Sequence, residues 1–416
     1  IFKKHRIVKE REQEENKMLQ GKTVLLGVTG GIAAYKMPNV ARMLKKMHCN
    51  VHVLMTQNAT NFITATTFET LTGNKCLIDT FDRNFEFSVE HVALAKQADL
   101  VLLAPATANV IGKIANGIAD DMLTTTVMAC TCKVLVAPAM NHNMYHNSIV
   151  QENLEKLKRH GYEMIDPVCG MLANGDTGDG KLPSEETLVE YVLRELAFEK
   201  DMQGLKVLVT AGPTQEAIDP VRFISNHSTG KMGYAIAKNA MLRGAEVTLV
   251  TGRTALEPPM FVKTVPVTSA KDMYQAVMEC AKEQDIIVKA AAVADYTPAH
   301  TADEKIKKSE GELSLALEKT TDILAELGKN KGNTVLCGFS METEHMLENS
   351  RAKRKKKNLD MIAANNLKQQ GAGFAGDTNV LTLITEDWEK ELALMSKDEA
   401  AKCLLDELLK IKKNKK

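Results

Sequence analysis

Twice along this chain an apolar, β-branched run breaks into a turn, a helical pattern follows, and a second strand-like run closes the unit. In the first copy, residues 22–29 (KTVLLGVT) lead into Gly30-Gly31, helical spacing runs through Ala34, Met37, Ala41 and Leu44, and 51–56 (VHVLMT) is the next strand. In the second, 205–210 (LKVLVT) lead through a long loop to a helix at 231–243 and a strand at 246–251. A strand, turn, helix and strand in about 35 residues is the size of a βαβ unit, which builds parallel sheets with helices on both faces. Buried-strand runs at 100–104, 133–137, 285–292 and 334–339 extend the two sheets. The expected class is α/β, two Rossmann-like domains of mainly parallel strands, with ligands outside the strand C-termini. Pro38, inside the first helical pattern, predicts a bend or a late start.

At 416 residues the chain is too long for one ordinary core. The expected layout is a charged extension at 1–19, a first domain at 20–195 that ends in an acidic helical stretch and linker, and a second domain at 196–416. Lys+Arg and Asp+Glu both total 53, so no global field draws the protein to nucleic acid or to an anionic membrane. Any anion site must be local. No apolar run is long enough to span a bilayer. The eight cysteines are scattered without a secretory leader before them, which points to a reducing, cytoplasmic setting. Cys130 and Cys132 form C-x-C with no second pair to complete a zinc site.

Four strand-end segments carry chemistry in the first half: VTGGIAAYK (28–36), MTQNATNFI (55–63), LAPATANVIGKIANGIADDML (103–123) and APAMNHNM (137–144). Glycine after a strand permits close approach of a phosphate to a helix N-terminus, and small polar residues satisfy phosphate and ring atoms. Together these segments resemble the flavin-containing cysteine decarboxylases, specifically the phosphopantothenoylcysteine decarboxylase family, over about 20–190. The resemblance implies a flavodoxin-like domain that binds FMN at Gly30, Thr56, Thr107 and Asn109. It matches His91, in SVEHVALA, to the histidine that removes a thiol proton, and Asn141 to the residue that positions the substrate carboxylate. In that chemistry the flavin oxidises the cysteinyl thiol before carbon is lost and afterwards returns the electrons. The segment 170–183 (GMLANGDTGDGKLP) resembles the family's substrate-covering flap, but Asn174 stands where the family has a proton-donating cysteine. Either Cys169 or water takes over that step, with turnover preserved, or the reaction stops at the enethiol. His142 and His146, at i and i+4, suit a metal pair, but no third ligand is evident in sequence, so they are expected to be surface or interface histidines.

In the second half, ISNHSTGKMG (224–233) joins a loop to a helix start, where backbone amides and Lys231 can meet a phosphate. With GPTQEAIDPVRF (212–223), KAAAVADYTP (289–298), EKIKK (304–308), LCGFSMETE (336–344) and KRKKKNLDMIAAN (353–365), the half resembles phosphopantothenate-cysteine ligase over roughly 204–410. The resemblance implies CTP and Mg2+, formation of an acyl nucleotide from 4'-phosphopantothenate, and attack by the amine of cysteine. Two anions must meet, so concentrated positive charge is required. Lys305 is matched to that role and Asn226 to holding the acyl intermediate. Ala291, Asp295, Asp322, Phe339, Lys353 and Lys357 are matched to the nucleotide, with Asp295 contacting it or organising the metal. Mg2+ is expected to be held mainly by the nucleotide phosphates. Lys353 and Lys357 share a helix face at i and i+4, where like charges call for an anion. The family's trimeric flavin half and dimeric ligase half together imply a homododecamer.

Overall fold

The computed structural model describes residues 17–81, 90–171, 177–307, 314–342, 345–366 and 376–415, which fall into two compact units divided after Phe198. Residues 1–16 of the expected extension lie outside the described residues. Its end does not: Leu19 is fully buried, and its N–H donates to the Met47 carbonyl at 3.1 Å.

In the first unit, β1 (Thr23–Val28), β2 (Asn50–Met55), β3 (Leu100–Ala106), β4 (Lys133–Pro138) and β5 (Glu163–Met164) form a parallel sheet in the order β2-β1-β3-β4-β5. β1 and β3 read as almost unbroken apolar runs because both faces of such a sheet are covered. The first helix begins late: a 3-10 turn at Ile32–Lys36 precedes α1 (Met37–Lys46), with Pro38 in its opening turn, where a missing N–H costs no helix bond. α1 buries Met37, Val40, Ala41 and Leu44. It is followed by α2 (Ala65–Thr72), α3 (Glu90–Gln97), α4 (Ala108–Ala115), α5 (Met122–Ala129), the single turn α6 (His142–Tyr145), α7 (Ser148–Arg159) and α8 (Glu185–Leu196). A two-stranded ribbon, β6 (Val168–Met171) and β7 (Thr177–Lys181), stands apart from the sheet. α8 is more than a linker, because it buries Leu188, Val189, Val192 and Leu193 and packs on α1.

In the second unit the parallel strands are β8 (Lys206–Ala211), β11 (Glu246–Thr251), β12 (Lys263–Pro266), β13 (Ile286–Lys289), β16 (Val335–Glu342) and β17 (Met361–Asn366). Their order is β12-β11-β8-β13-β16-β17, with antiparallel β19 (Leu381–Ile384) and β20 (Glu389–Glu391) added beside β17. Counted from β8, the parallel part reads 3-2-1-4-5-6, the doubly wound dinucleotide-binding order. The helices are α9 (Lys231–Leu242), α10 (Ala270–Ala281), α11 (Ile323–Lys329), α12 (Met346–Lys356) and α13 (Lys397–Asn414). Short strand pairs are β9 (Gln215–Ala217) with β10 (Phe223–Ser225), β14 (Tyr296–Pro298) with β15 (Leu317–Lys319), and β18 (Thr378–Asn379) with β21 (Met395–Ser396). The long loop after β8 thus contains a hairpin. Its turn is clamped by buried Asp219, which accepts from the Val221, Arg222 and Ile306 backbones and from the Arg222 guanidinium. These partners, Arg222 foremost, hold the Asp219 carboxyl well below the usual carboxylate range. Among the described residues no helix is long and apolar enough to cross a membrane.

Candidate active sites

The strand order of the first unit reverses between β1 and β3, and the loops leaving β1, β2, β3 and β4 meet at that edge. Thr29 stitches two of them together: its hydroxyl donates to the Pro105 carbonyl at 2.6 Å and accepts from the Thr107 N–H at 3.0 Å. The Thr56 N–H donates to Val28 O at 3.1 Å and the Ala139 N–H to Ala106 O at 3.0 Å. Gly30, Thr56, Thr107, Asn109 and Asn141 therefore all stand at one edge of the sheet. Gly30 has to be glycine, because a Cβ there would lie 2.5 Å from Asn58 Cβ and 3.0 Å from its backbone carbon. Thr56 and Thr107 occupy N-cap positions, yet neither hydroxyl caps its helix. The Thr56 hydroxyl is buried with no hydrogen-bond partner. A buried hydroxyl left unpaired is costly, so this oxygen fits an acceptor or donor that a bound flavin phosphate brings.

Asn141 caps α6: its Oδ1 accepts from the Asn143 N–H at 2.9 Å. Its amide nitrogen has no such bond within the cap. His91 lies in the first turn of α3, half-buried. A helix that feeds a parallel strand runs against it, so the start of α3 faces the C-terminal edge of the sheet, where the loops converge. No hydrogen bond among the described residues joins His91 to Asn141. The β6/β7 ribbon leans on the Asn141 loop, with the Met140 N–H donating to Gly180 O at 3.0 Å. Residues 172–176, with Asn174, lie outside the described residues. Cys169 is exposed in β6.

In the second unit a cleft of about 520 Å³ opens at the C-terminal ends of β13, β16 and β17. It brings together Asn226, Ala291, Asp295, Asp322, Phe339, Lys353 and Lys357. Lys305 is not among the lining residues. It is exposed beside Ile306, whose backbone N–H donates to Asp219 and whose carbonyl accepts from Arg222. Two lysines that sequence reasoning missed line the cleft instead, Lys289 at the end of β13 and Lys397 at the start of α13. Burial and then the neighbouring Lys357 push the Lys289 ammonium down to about 8, and burial and then Lys231 bring Lys397 to about 8. With Lys231, Lys353 and Lys357 they give five cleft lysines against Asp295 and Asp322. Partners in the fold temper this charge: Lys231 pairs with Asp377 at 2.8 Å, Lys357 with Asp322 at 2.7 Å, and Lys397 donates to the Gly376 carbonyl at 2.6 Å.

The N-terminus of α9 enters the same cleft through Ser228 to Gly233 and adds the positive end of a helix dipole. Gly230 caps it at φ +79, a left-handed conformation that glycine adopts without strain. Asn226 is oriented by its own amide, which donates to Ala292 O at 3.0 Å. Asn365, at the end of β17, lines the cleft with its side-chain oxygen buried and unpartnered.

Two doubly wound units, one with a flavin-type switch point and one with a cationic nucleotide-type cleft, define a two-domain α/β enzyme of the flavoprotein class. The family described as Flavoprotein matches residues 12–197, and the DNA/pantothenate metabolism flavoprotein C-terminal domain matches residues 202–411. Over 400 residues the chain is 45% identical to the coenzyme A biosynthesis bifunctional protein CoaBC of Bacillus subtilis (strain 168), covering 95% of this chain and 98% of that protein. It is 42% identical over 395 residues to the protein of the same name from Escherichia coli (strain K12), covering 94% and 97%. A crystal structure of the C-terminal domain of CoaBC is 41% identical and covers 52% of this chain and all of that one, with a TM-score of 0.45. The chain belongs to the CoaBC family of bifunctional coenzyme A biosynthesis enzymes, which combine phosphopantothenoylcysteine decarboxylase and phosphopantothenate-cysteine ligase activities.

Proposed function

We propose that the second unit joins cysteine to 4'-phosphopantothenate at the expense of CTP with Mg2+, and that the first unit decarboxylates the product with FMN to give 4'-phosphopantetheine. The observation that carries this reading is the cleft, where five lysines and a helix N-terminus converge on a switch point, opposed by Asp295 and Asp322 in the lining and by Asp377 beside Lys231. Such a surplus neutralises a triphosphate and a carboxylate brought to contact distance. The phosphopantothenate carboxylate displaces pyrophosphate from CTP and forms an acyl cytidylate. The cysteine amine then attacks the acyl carbon, loses a proton and releases CMP. Asn226 holds the acyl group, Phe339 and Ala291 line the base side, and Asp295 and Asp322 face the nucleotide and its metal. Lys353 and Lys357 face the phosphates. Lys305 is assigned to carboxylate activation by resemblance alone.

In the first unit, Gly30, Thr56, Thr107 and Asn109 would hold FMN, and the unpartnered Thr56 hydroxyl supports that fit. When bound, FMN supplies a two-electron acceptor and donor. His91 takes the thiol proton. Asn141, its oxygen committed to the Asn143 N–H, presents amide donors to the carboxylate that leaves as CO2. By resemblance, the flap segment that contains Asn174 is the one that covers the substrate. Because Asn174 is no acid, release of the enethiol, with dioxygen taking the two electrons that the thiol would leave on the flavin, is the second reading of this half.

Exposed apolar side chains at Ile32, Tyr35 and Phe62 in the first unit, and at Val221, Phe223 and Tyr296 in the second, leave surface for contacts between copies in both halves; the homododecamer and the cytoplasmic setting are assigned by resemblance alone. The test is mass analysis of products after incubation with 4'-phosphopantothenate, cysteine, CTP and Mg2+. CMP and 4'-phosphopantetheine are expected. Sustained nucleotide turnover, beyond one equivalent per site, that does not depend on both other substrates would overturn the ligase reading.

A further inference from the structure

The loop after β4 and the flap ribbon meet at a cluster of side chains outside the proposed reactions. α6 is a single turn, but it is enough to place His142 and His146 on one face, with ring centroids 4.4 Å apart. The third member comes from β7: Asp179 Oδ2 lies 3.2 Å from His146 Nε2. One ligand atom from each of the three residues falls within 4.8 Å of the others. Sequence alone offered no third ligand for the histidine pair. Asp179 sits 33 residues beyond His146, and only the folding of the ribbon onto α6 brings it in.

A second observation points to a ligand. The Nδ1 of His142 is buried and has no hydrogen-bond partner. A satisfied structural histidine engages both ring nitrogens, and a buried one left idle carries a desolvation cost. The ring lies under Gly178, where a Cβ would come 2.8 Å from that same nitrogen, so the strand residue next to Asp179 is small enough for the imidazole to reach the ribbon.

We infer that His142, His146 and Asp179 form a binding site for a divalent transition cation of the zinc, cobalt or nickel type, which pins the flap ribbon to the loop of Asn141. Two imidazoles and one carboxylate are borderline ligands that suit these ions rather than magnesium or calcium, and three protein ligands leave a fourth position for water. A four-coordinate ion with bonds of about 2.1 Å keeps its ligands roughly 3.4 Å apart, so the His146–Asp179 edge already has the right length. Side-chain rotation of the half-exposed His146 and Asp179 closes the other edges. The site is distinct from any Mg2+ held by nucleotide in the other unit and does not depend on the decarboxylase reading.

The experiment is Co2+ titration of the full-length, flavin-loaded protein, followed by optical spectroscopy and equilibrium dialysis, with H146Q, D179N and the remote surface variant H160Q in parallel. Wild type and H160Q are expected to bind one equivalent that both H146Q and D179N lose, with affinity reduced at least about tenfold. The second readout is amide hydrogen exchange at Thr177–Lys181, which Zn2+ slows in wild type and H160Q but leaves unchanged in D179N. Cysteine-bound metal would persist in all four proteins and give no such difference. Equal stoichiometry and affinity in the four proteins would leave His146 and Asp179 as an ion pair only and overturn the proposal.

Discussion

The Lys357 ammonium lies 2.7 Å from the Asp322 carboxylate, so one of the cations lining the second unit's cleft is partly neutralised by the wall of the cleft itself. Burial pushes Asp322 up, but the Lys357 hydrogen bond and the Ala325 N–H outweigh it and keep the carboxyl low. Asp322 also caps α11 through that N–H at 3.0 Å, a role asparagine fills equally well. Asp322→Asn therefore isolates the charge. Asp322 attracts the Lys289 proton, so its loss lowers Lys289 further below about 8. The basic limb of the pH profile of KM for nucleotide is expected to move to lower pH by roughly half a unit to one unit. An unmoved limb would remove Lys289 from nucleotide binding.

Lys289 itself opposes folding and favours binding. Its ordinary value of 10.5 falls to about 8 in the folded chain. Between those two pH values the unfolded chain holds a proton that the folded chain has released, so stability rises with pH across that window and is lowest below it. Lys289→Met, similar in shape and uncharged, is expected to stabilise the protein at pH 7 by on the order of 1–3 kcal/mol while weakening nucleotide binding. Thermal melts and nucleotide titrations check the two signs. Because phosphates raise Lys289 and Lys397 again, binding near pH 8 takes up protons, measurable by calorimetry in buffers of different ionisation enthalpy. A lower melting temperature, or zero uptake, contradicts the account.

Thr56→Val tests the other crevice. The hydroxyl it removes is buried and unpartnered, so the flavin-free protein is expected to gain stability, by about 1 kcal/mol. FMN binding is expected to weaken by about 1–3 kcal/mol, read from quenching of flavin fluorescence, because a charged phosphate loses a partner. A variant that binds FMN as tightly as wild type would place the phosphate elsewhere.

The elements were legible because period-2 and period-3.6 patterns survive in single segments. The strand at 206–211 and the helix at 231–242 needed no tertiary information, and Pro38 marked the late start of α1. The β9/β10 hairpin was not legible, because it is held by the Asp219 clamp rather than by an apolar pattern. Lys289 and Lys397 escaped for a related reason. One ends a buried strand and the other begins a distant helix, and only the sheet order makes them neighbours of the same cleft. The polar ending of β13 in IIVK was the one available sign, since a lysine closing a buried strand needs an anion or an exit to water.

Lys305 and Lys289 should separate kinetically. Lys289 lines the cleft and Lys305 stands outside it. Lys289→Gln is expected to raise KM for nucleotide, whereas Lys305→Gln leaves that KM within about twofold and lowers kcat, the pattern of an interaction made in the transition state. If both variants raise KM equally, Lys305 belongs to nucleotide binding after all.

Asn174 sets the last expectation. An amide cannot donate a proton at neutral pH, and the cysteine nearest in the ribbon, Cys169, is exposed in β6. Protonation of the enethiol by water or by Cys169 lets turnover continue, but more slowly than with a thiol in place. Asn174→Cys is therefore expected to accelerate formation of 4'-phosphopantetheine, toward the roughly 10²-fold that a positioned acid contributes. Cys169→Ala separates the two donors, since a lowered rate assigns the proton to Cys169 and an unchanged rate assigns it to water. Mass analysis distinguishes the enethiol from the reduced product by two hydrogens. Wild-type protein that yields enethiol alone, with Asn174→Cys restoring the reduced product, would show that this chain stops one step short.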